Sequence, residues 1–288
     1  MKIYQGAVLY IDILGISALT KNEINITDTD FSVHNFTTKS RKTEQVFCAK
    51  LLMKFRRILK EVLNSDIHVA QLSDCAFIWS KKTDVVLEAA RKIMWSTIKE
   101  GILCRGGISY GEIVEPDKTN KKLGQFVCGK AVTNSAKLEH TGKGTRIFLD
   151  DSIPRNCSCI VQENAFRVQK NPTDCTSINE FRWWLFPENI STLSHENISD
   201  RKRRLCSLMD LISSLKHSPL FRWNSETIFG RQQIASTIDR ISHDANELQS
   251  VHDYKFEYDS IINNLNTRDE KSYNSLRDIY FCEIQGID

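Results

Sequence analysis

Asp12 lies in Ala7-Val-Leu-Tyr-Ile-Asp-Ile-Leu-Gly15, an apolar run that predicts a buried strand. A carboxylate in such a run is costly unless it is paired, neutralised or bound to a metal ion. Gly15, three residues on, lets the backbone turn sharply and approach a ligand. A second acid repeats the pattern: Asp74 sits in His68-Val-Ala-Gln-Leu-Ser-Asp-Cys-Ala-Phe-Ile-Trp79, at the junction of two short apolar runs. Two carboxylates at strand ends are suited to a divalent cation and, through it, a phosphate-bearing substrate. The competing reading makes Asp12 a structural acid and Asp74 an ordinary turn residue, since acids are common in turns.

The elements that must position these acids can be read from the hydrophobic period. Residues 3–16 form the first strand, and 21–40, rich in Asn, Thr, Ser and Asp, form a loop or mobile lid. Val46, Leu51, Leu52, Phe55, Ile58, Leu59 and Val62 recur at helical spacing. His68–Leu72 and Cys75–Ser80 make a hairpin with Ser73-Asp74 at its turn, and Asp84–Lys99 is a second helix. Leu103–Val114 is a strand whose glycines mark a bulge or a close backbone approach. After the basic loop Lys118–Gly124 come a helix at Ala131–His140, a strand at Arg146–Leu149 and a strand pair at Val161–Gln169 and Glu180–Phe186. This order implies an α/β (α+β) sandwich on a mixed sheet. Beyond Pro187 the texture turns polar and then helical, through Leu205, Leu208, Met209, Ile212 and Leu215, with further helices at Val251–Leu265 and Tyr273–Tyr280. The expected division is therefore an α/β domain at 1–188 and a mainly α-helical extension at 189–288.

Composition narrows the function classes. With 41% hydrophobic and 26% charged residues the chain is ordinary for a water-soluble protein, and a net charge of +3 is too small to imply nucleic-acid binding. Arg201-Lys-Arg-Arg204 reads as a solvated face or a partner contact, with nucleic-acid binding as the alternative. The nine cysteines are scattered, contain no C-x-x-C pair, and the seven histidines lack metal-ligand spacing. No stretch approaches the ~18 apolar residues of a membrane helix, and no basic-then-apolar leader opens the chain. A reducing cytoplasm is the expected compartment.

Four segments in order resemble the class III nucleotidyl cyclases, a ferredoxin-like family that works as dimers. Tyr10-Ile-Asp-Ile-Leu-Gly-Ile-Ser17 resembles F-x-D-I-x-G-F-[ST], and Leu72-Ser-Asp-Cys-Ala-Phe77 resembles the family's G-D hairpin. Arg105-Gly-Gly-Ile-Ser-Tyr-Gly111 is similar to R-[IVG]-G-I-x-x-G. Gly129-Lys-Ala-Val-Thr-Asn-Ser-Ala-Lys-Leu-Glu-His-Thr-Gly142 is similar to G-x-x-V-N-x-A-x-R-[ML]-E-x-T-G.

The resemblance implies conversion of a nucleoside triphosphate to a 3′,5′-cyclic monophosphate and pyrophosphate. It implies that Asp12, Asp74 and the carbonyl of Ile13 hold two divalent cations, Mn2+ or Mg2+. Backbone N–H groups from Leu14 through Gly15 and Ile16 to Ser17 would cradle phosphates, and Arg105 would bind one, unless it caps a strand end. Lys170 is a further phosphate contact across the dimer or else a surface lysine.

Departures from the family pattern are informative. Thr133, with Asn134 beside it, stands where a ribose-binding Asn is usual, and Lys137 stands where the transition-state arginine is usual. A lysine acts there as a point charge and not as a bidentate fork. At the base-reading positions Ala70 and Phe126 replace the Lys–Asp pair that reads adenine, although Phe126 also reads as a core aromatic. These features resemble the Pycsar pyrimidine cyclases of bacterial anti-phage defence. That likeness implies CTP or UTP as substrate, a homodimer with shared active sites, and a separate effector that reads the product. Membrane and nucleic-acid partners are not expected. Two alternatives stay open: a purine cyclase with unusual base readers, and a catalytically silent nucleotide-binding module.

Overall fold

The computed structural model describes residues 1–118, 125–157, 165–170, 175–188 and 198–249. Successive side chains of strand β1 (Lys2–Ile13) point to opposite faces of the sheet, and the stretch Gly6–Leu9 is buried throughout, as in a strand covered on both faces. Ala7, Leu9, Ile11 and Ile13 enter one core; Val8, Tyr10 and Asp12 face the other side. After two short helices, α1 (Ile16–Thr20) and α2 (Asp28–Val33), come α3 (Glu44–Glu61), the hairpin β2 (His68–Leu72) and β3 (Cys75–Ser80), α4 (Thr83–Lys99) and β4 (Cys104–Glu115). β1 pairs antiparallel with β3 and β4, and β3 with β2. With α3 and α4 as the crossovers, this is the βαββαβ ferredoxin-like arrangement that the family resemblance implied. Phe47, Leu51 and Phe55 of α3 and Leu87, Ala90 and Ile93 of α4 cover the core face of β1.

The sheet then grows on the β4 side. α5 (Lys130–Glu139) leads to β5 (Ile147–Leu149), parallel to β4, and α6 (Ser152–Arg155) precedes β6 (Phe166–Lys170) and β7 (Ser177–Phe181). The seven strands run β2-β3-β1-β4-β5-β7-β6. α5 lies on the face opposite α3 and α4, with Ala131 against Val8, Trp79 and Ile113. Its closeness to the sheet requires Gly107: a Cβ there would stand 2.2 Å from the Ser135 carbonyl and 2.7 Å from Cβ of Leu138.

Helices α7 (Ile198–His217), α8 (Arg222–Ser225) and α9 (Ile228–Gln249) follow. They are the expected helical extension, and their apolar faces enter the same core as β1, α3 and α4: Leu208, Ile212, Trp223, Ile234, Ile238 and Ile241 all belong to it. Asp244 of α9 is fully buried and accepts hydrogen bonds from Arg167 at 2.6 Å, Arg182 at 2.8 Å and Trp184 at 2.5 Å. Such a cluster satisfies an acid that would otherwise be prohibitively costly to bury. No helix among the described residues is long and apolar enough to cross a membrane.

Several expectations are corrected. The 21–40 segment contains α2, capped by a reciprocal Thr27–Asp30 box and tied down by an ion pair from Arg222 to Asp30. The final strand pair is displaced: β7 ends at Phe181, because Trp183–Leu185 form a 3-10 turn whose three side chains are all buried. Arg204 is not part of a solvated face; it is buried with its guanidinium 5.7 Å from the Phe186 ring. The helices expected at 251–265 and 273–280, and most of the basic loop at 118–124, lie outside the described residues.

Gly107→Ala is expected to lower stability by about 3 kcal/mol through overpacking. Gly111→Ala, whose Cβ would meet nothing closer than 3.6 Å, is expected to cost little. Urea unfolding of the two variants checks the seating of α5.

Candidate active site

Asp12 is the last outward-facing residue before β1 ends, in register with Cys75 of β3 and Arg105 of β4. Asp74 comes to it through the hairpin turn, because the amide of Ile13 donates to the Asp74 carbonyl at 3.1 Å. Leu72 and Cys75 pair, so Ser73-Asp74 is a two-residue turn, and Ser73 takes φ 55. A left-handed first position is normally glycine; serine occupies it here, held by Gln71 donating to its carbonyl at 3.0 Å.

Burial first, then the neighbouring carboxylates Asp74 and Glu139, push the Asp12 carboxyl up to about 7; Arg105 and the backbone N–H of Ile13 oppose the rise. The polypeptide therefore leaves excess negative charge at this point. That fits a divalent cation, which would be held by Asp12, Asp74 and the Ile13 carbonyl. A cluster of three or more His, Cys, Asp or Glu able to hold a metal does not occur among the described residues, so a backbone or substrate oxygen must complete any such site.

Glu139, which sequence reasoning passed over as a site residue, is the third carboxylate here. It is 1% exposed at the end of α5, on the face that also buries Ala131, Ser135 and Leu138. That period was the available signal: an acid in the buried phase of an amphipathic helix needs a partner. Arg105 supplies it, with Nε 2.6 Å and Nη2 2.5 Å from Oε1, while Nη1 donates to the Gly142 carbonyl at 3.0 Å. His140 Nδ1 lies 2.9 Å from the other oxygen. Arg105 thus sits beside Asp12, with its guanidinium engaged within the chain.

The loop after β1 holds the residues expected to cradle phosphates. Gly15 caps α1 at φ 95, Ile16 is buried and Ser17 is exposed. The Gly15 requirement has a second cause besides backbone approach: a Cβ would stand 3.1 Å from the Trp223 ring and 3.3 Å from the Asn224 amide.

The other expected residues fall elsewhere. Thr133 and Lys137 are exposed one turn apart on the outer face of α5, while Asn134 is half-buried. Ala70 lies on the Asp12 face with Phe77 and Val127, packed against Val8 and Trp79. Phe126 is not a core aromatic; it is 52% exposed beside Gln125, whose amide lies 3.4 Å from His68 Nδ1. Lys170 lines a cavity of about 440 Å³ with His140, Lys143, Arg146, Gln169 and Arg240. The structure therefore joins Asp12, Asp74, Ile13, the 15–17 loop and Arg105 at one end of β1. Thr133 and Lys137 on α5, and Lys170 in its basic cavity, are placed on other surfaces.

No family model matches the chain, and no curated protein matches it. Among solved structures it is similar to the guanylyl cyclase Cya2, at 12% identity over 62% of this chain and 91% of that one, with a TM-score of 0.45. It is also similar to a bacterial light-regulated adenylyl cyclase (14%, 64% and 92%, TM-score 0.44). A third is the guanylate cyclase domain of RhGC from Catenaria anguillulae in complex with GTP (15%, 63% and 97%, TM-score 0.42). Likeness at this distance transfers no residue role; the placements above rest on strand order, register and contacts.

Arg105→Ala would leave Glu139 buried and largely uncompensated, so a loss of about 3 to 5 kcal/mol is expected in urea unfolding. A loss under about 1 kcal/mol, accompanied by weaker nucleotide binding, would instead make Arg105 a phosphate ligand.

Proposed function

We propose that the chain is a nucleotidyl cyclase that acts on a pyrimidine nucleoside triphosphate, CTP first and UTP as the alternative. The observation that carries this reading is the convergence of Asp12 and Asp74 at the end of β1, where the fold leaves their charge uncompensated. Bound Mg2+ or Mn2+ would lower the pKa of the ribose 3′-hydroxyl and neutralise the triphosphate. Asp12, Asp74 and the Ile13 carbonyl would hold the cations, and the amides of residues 15–17 would orient the phosphates. The 3′-hydroxyl passes its proton to solvent, its oxygen bonds to the α-phosphorus, the bond from that phosphorus to the bridging oxygen breaks, and pyrophosphate leaves.

Thr133, Asn134 and Lys137 are carried on α5, and Lys170 lies in a cavity with other cationic side chains. In a homodimer these would face the carboxylates of the partner, with Thr133 or Asn134 on the ribose and Lys137 and Lys170 on the phosphates. Ala70 lies on the Asp12 face and Phe126 is exposed, and neither offers the charged groups that read adenine. A small base against an exposed aromatic suits this surface. The biological setting proposed is anti-phage signalling in the bacterial cytoplasm, with the cyclic nucleotide read by a separate effector.

One observation favours a second reading, a cyclase-like module that binds nucleotide without turnover. Arg105 spends its guanidinium on Glu139 and the Gly142 carbonyl, and Lys137 cannot brace a phosphate bidentately.

The test is incubation of the purified protein with ATP, GTP, CTP and UTP in the presence of Mn2+, with 3′,5′-cyclic products read by mass spectrometry. Cyclic CMP is expected to dominate and to vanish in Asp12→Ala and Asp74→Ala. Cyclic AMP or cyclic GMP would overturn the base assignment, and nucleotide binding without product would favour the silent module.

A further inference from the structure

The turn Arg222-Trp223-Asn224 belongs to α8 in the helical extension, yet its three side chains reach three parts of the catalytic layer. Arg222 pairs with buried Asp30 of α2 through Nε at 2.6 Å, and its Nη2 donates to the Asn25 carbonyl at 3.1 Å. Trp223 is fully buried, donates to the Gly101 carbonyl at 3.3 Å, and lies against Gly15, the residue that follows the strand end carrying Asp12. Asn224, 2% exposed, points its Nδ2 at the Leu14 carbonyl from 3.4 Å. Its Oδ1 is buried without a partner among the described residues. An apolar side chain of similar volume would fill the same space without an orphaned acceptor, so the amide is kept at a cost in stability.

We infer that Asn224, with Trp223 beside it, is a positioning residue that fixes the Leu14–Ser17 loop and so lets the helical extension set the geometry of the Asp12–Asp74 site. Leu14, Ile16 and Leu19 anchor the segment in the core, and its backbone is held by Leu14 N–H to the Leu103 carbonyl at 2.8 Å, Leu19 N–H to the Gly15 carbonyl at 3.2 Å and Lys21 N–H to the Ser17 carbonyl at 3.1 Å. Asn224 adds a side-chain contact to the Leu14 carbonyl. Leu14 and Gly15 follow Asp12 by two and three residues, so a displacement there moves both the carboxylate and the Ile13 carbonyl. Only the consequence for turnover rests on the proposed cyclase reading; the positioning itself can be measured without substrate.

Hydrogen exchange by mass spectrometry on the full chain tests it, comparing the natural protein with Asn224→Leu, which keeps the branched shape and loses the donor, and Asn224→Ser, which keeps a donor. Asn224→Leu is expected to speed exchange at Leu14–Leu19 about tenfold or more, with β4 and α4 unchanged. Asn224→Ser is expected to exchange more slowly there than Asn224→Leu. If cyclase activity is present, kcat of Asn224→Leu is expected to fall about tenfold or more while KM changes little. Exchange at Leu14–Leu19 that equals the natural protein's, or an increase spread evenly over β4 and α4, would overturn the inference. If Asn224→Leu does not fold, Asn224→Ala carries the same comparison. Absence of turnover in the natural protein would refute the cyclase reading and leave the exchange result standing.

Discussion

Asp12 stands where burial and two neighbouring carboxylates, Asp74 and Glu139, all disfavour its charge, opposed only by Arg105 and one backbone N–H. A structure that needed only stability would place an apolar side chain there, as it does at Ile11 and Ile13. Much of the surrounding architecture serves to hold the acids in this position. β1 is clamped between β3 and β4, the Ser73-Asp74 turn is stitched to Ile13, and Arg105 is locked to Glu139 so that one of the three carboxylates is already paired. What remains is a pair of acids with a vacancy of positive charge, which a divalent cation suits.

The second face of the sheet follows from that requirement. α3 and α4 occupy one face, so a ligand can reach the acids only from the other, where α5 covers the β4 side through Gly107 and leaves Tyr10, Phe77 and Ala70 half-buried. In the proposed reading each chain carries two incomplete surfaces, one with the acids and one with Thr133, Lys137 and the cationic cavity around Lys170. A two-fold pairing of two copies would present each to the other without any new structural element. The helical extension is not a passive appendage. It shares the core, and α8 abuts the loop next to the acids.

Elements with a clean period were legible in the sequence: β1, α3, the hairpin, α4, β4 and α5 all stand near their expected places because each buries one regular face. Asp12 and Asp74 were legible because a charge in an apolar run is conspicuous. Helix α9 was not foreseen, since its buried stripe alternates Ile234, Ile238 and Ile241 with the polar Gln233, Thr237 and Asp244. Those polar residues are satisfied by distant parts of the chain, such as the amides of Gly144 and Thr145 at 2.6 and 2.7 Å. Contacts of that range leave no local periodicity. The same holds for the Glu139–Arg105 pair and for Asn224 beneath Leu14, which depend on which helix lands on which strand.

Calorimetric titration of the purified protein with Mn2+ at pH 6 and pH 8, in buffers of differing ionisation enthalpy, tests the central claim most directly. With the Asp12 carboxyl near 7, the metal-free protein holds that proton at pH 6 and has lost it at pH 8. The account predicts binding that weakens at pH 6 and releases about one proton there, few at pH 8, and none after Asp12→Asn, which should lose the site. Equal Mn2+ binding by the natural protein and Asp12→Asn, or no saturable binding at either pH, would contradict it.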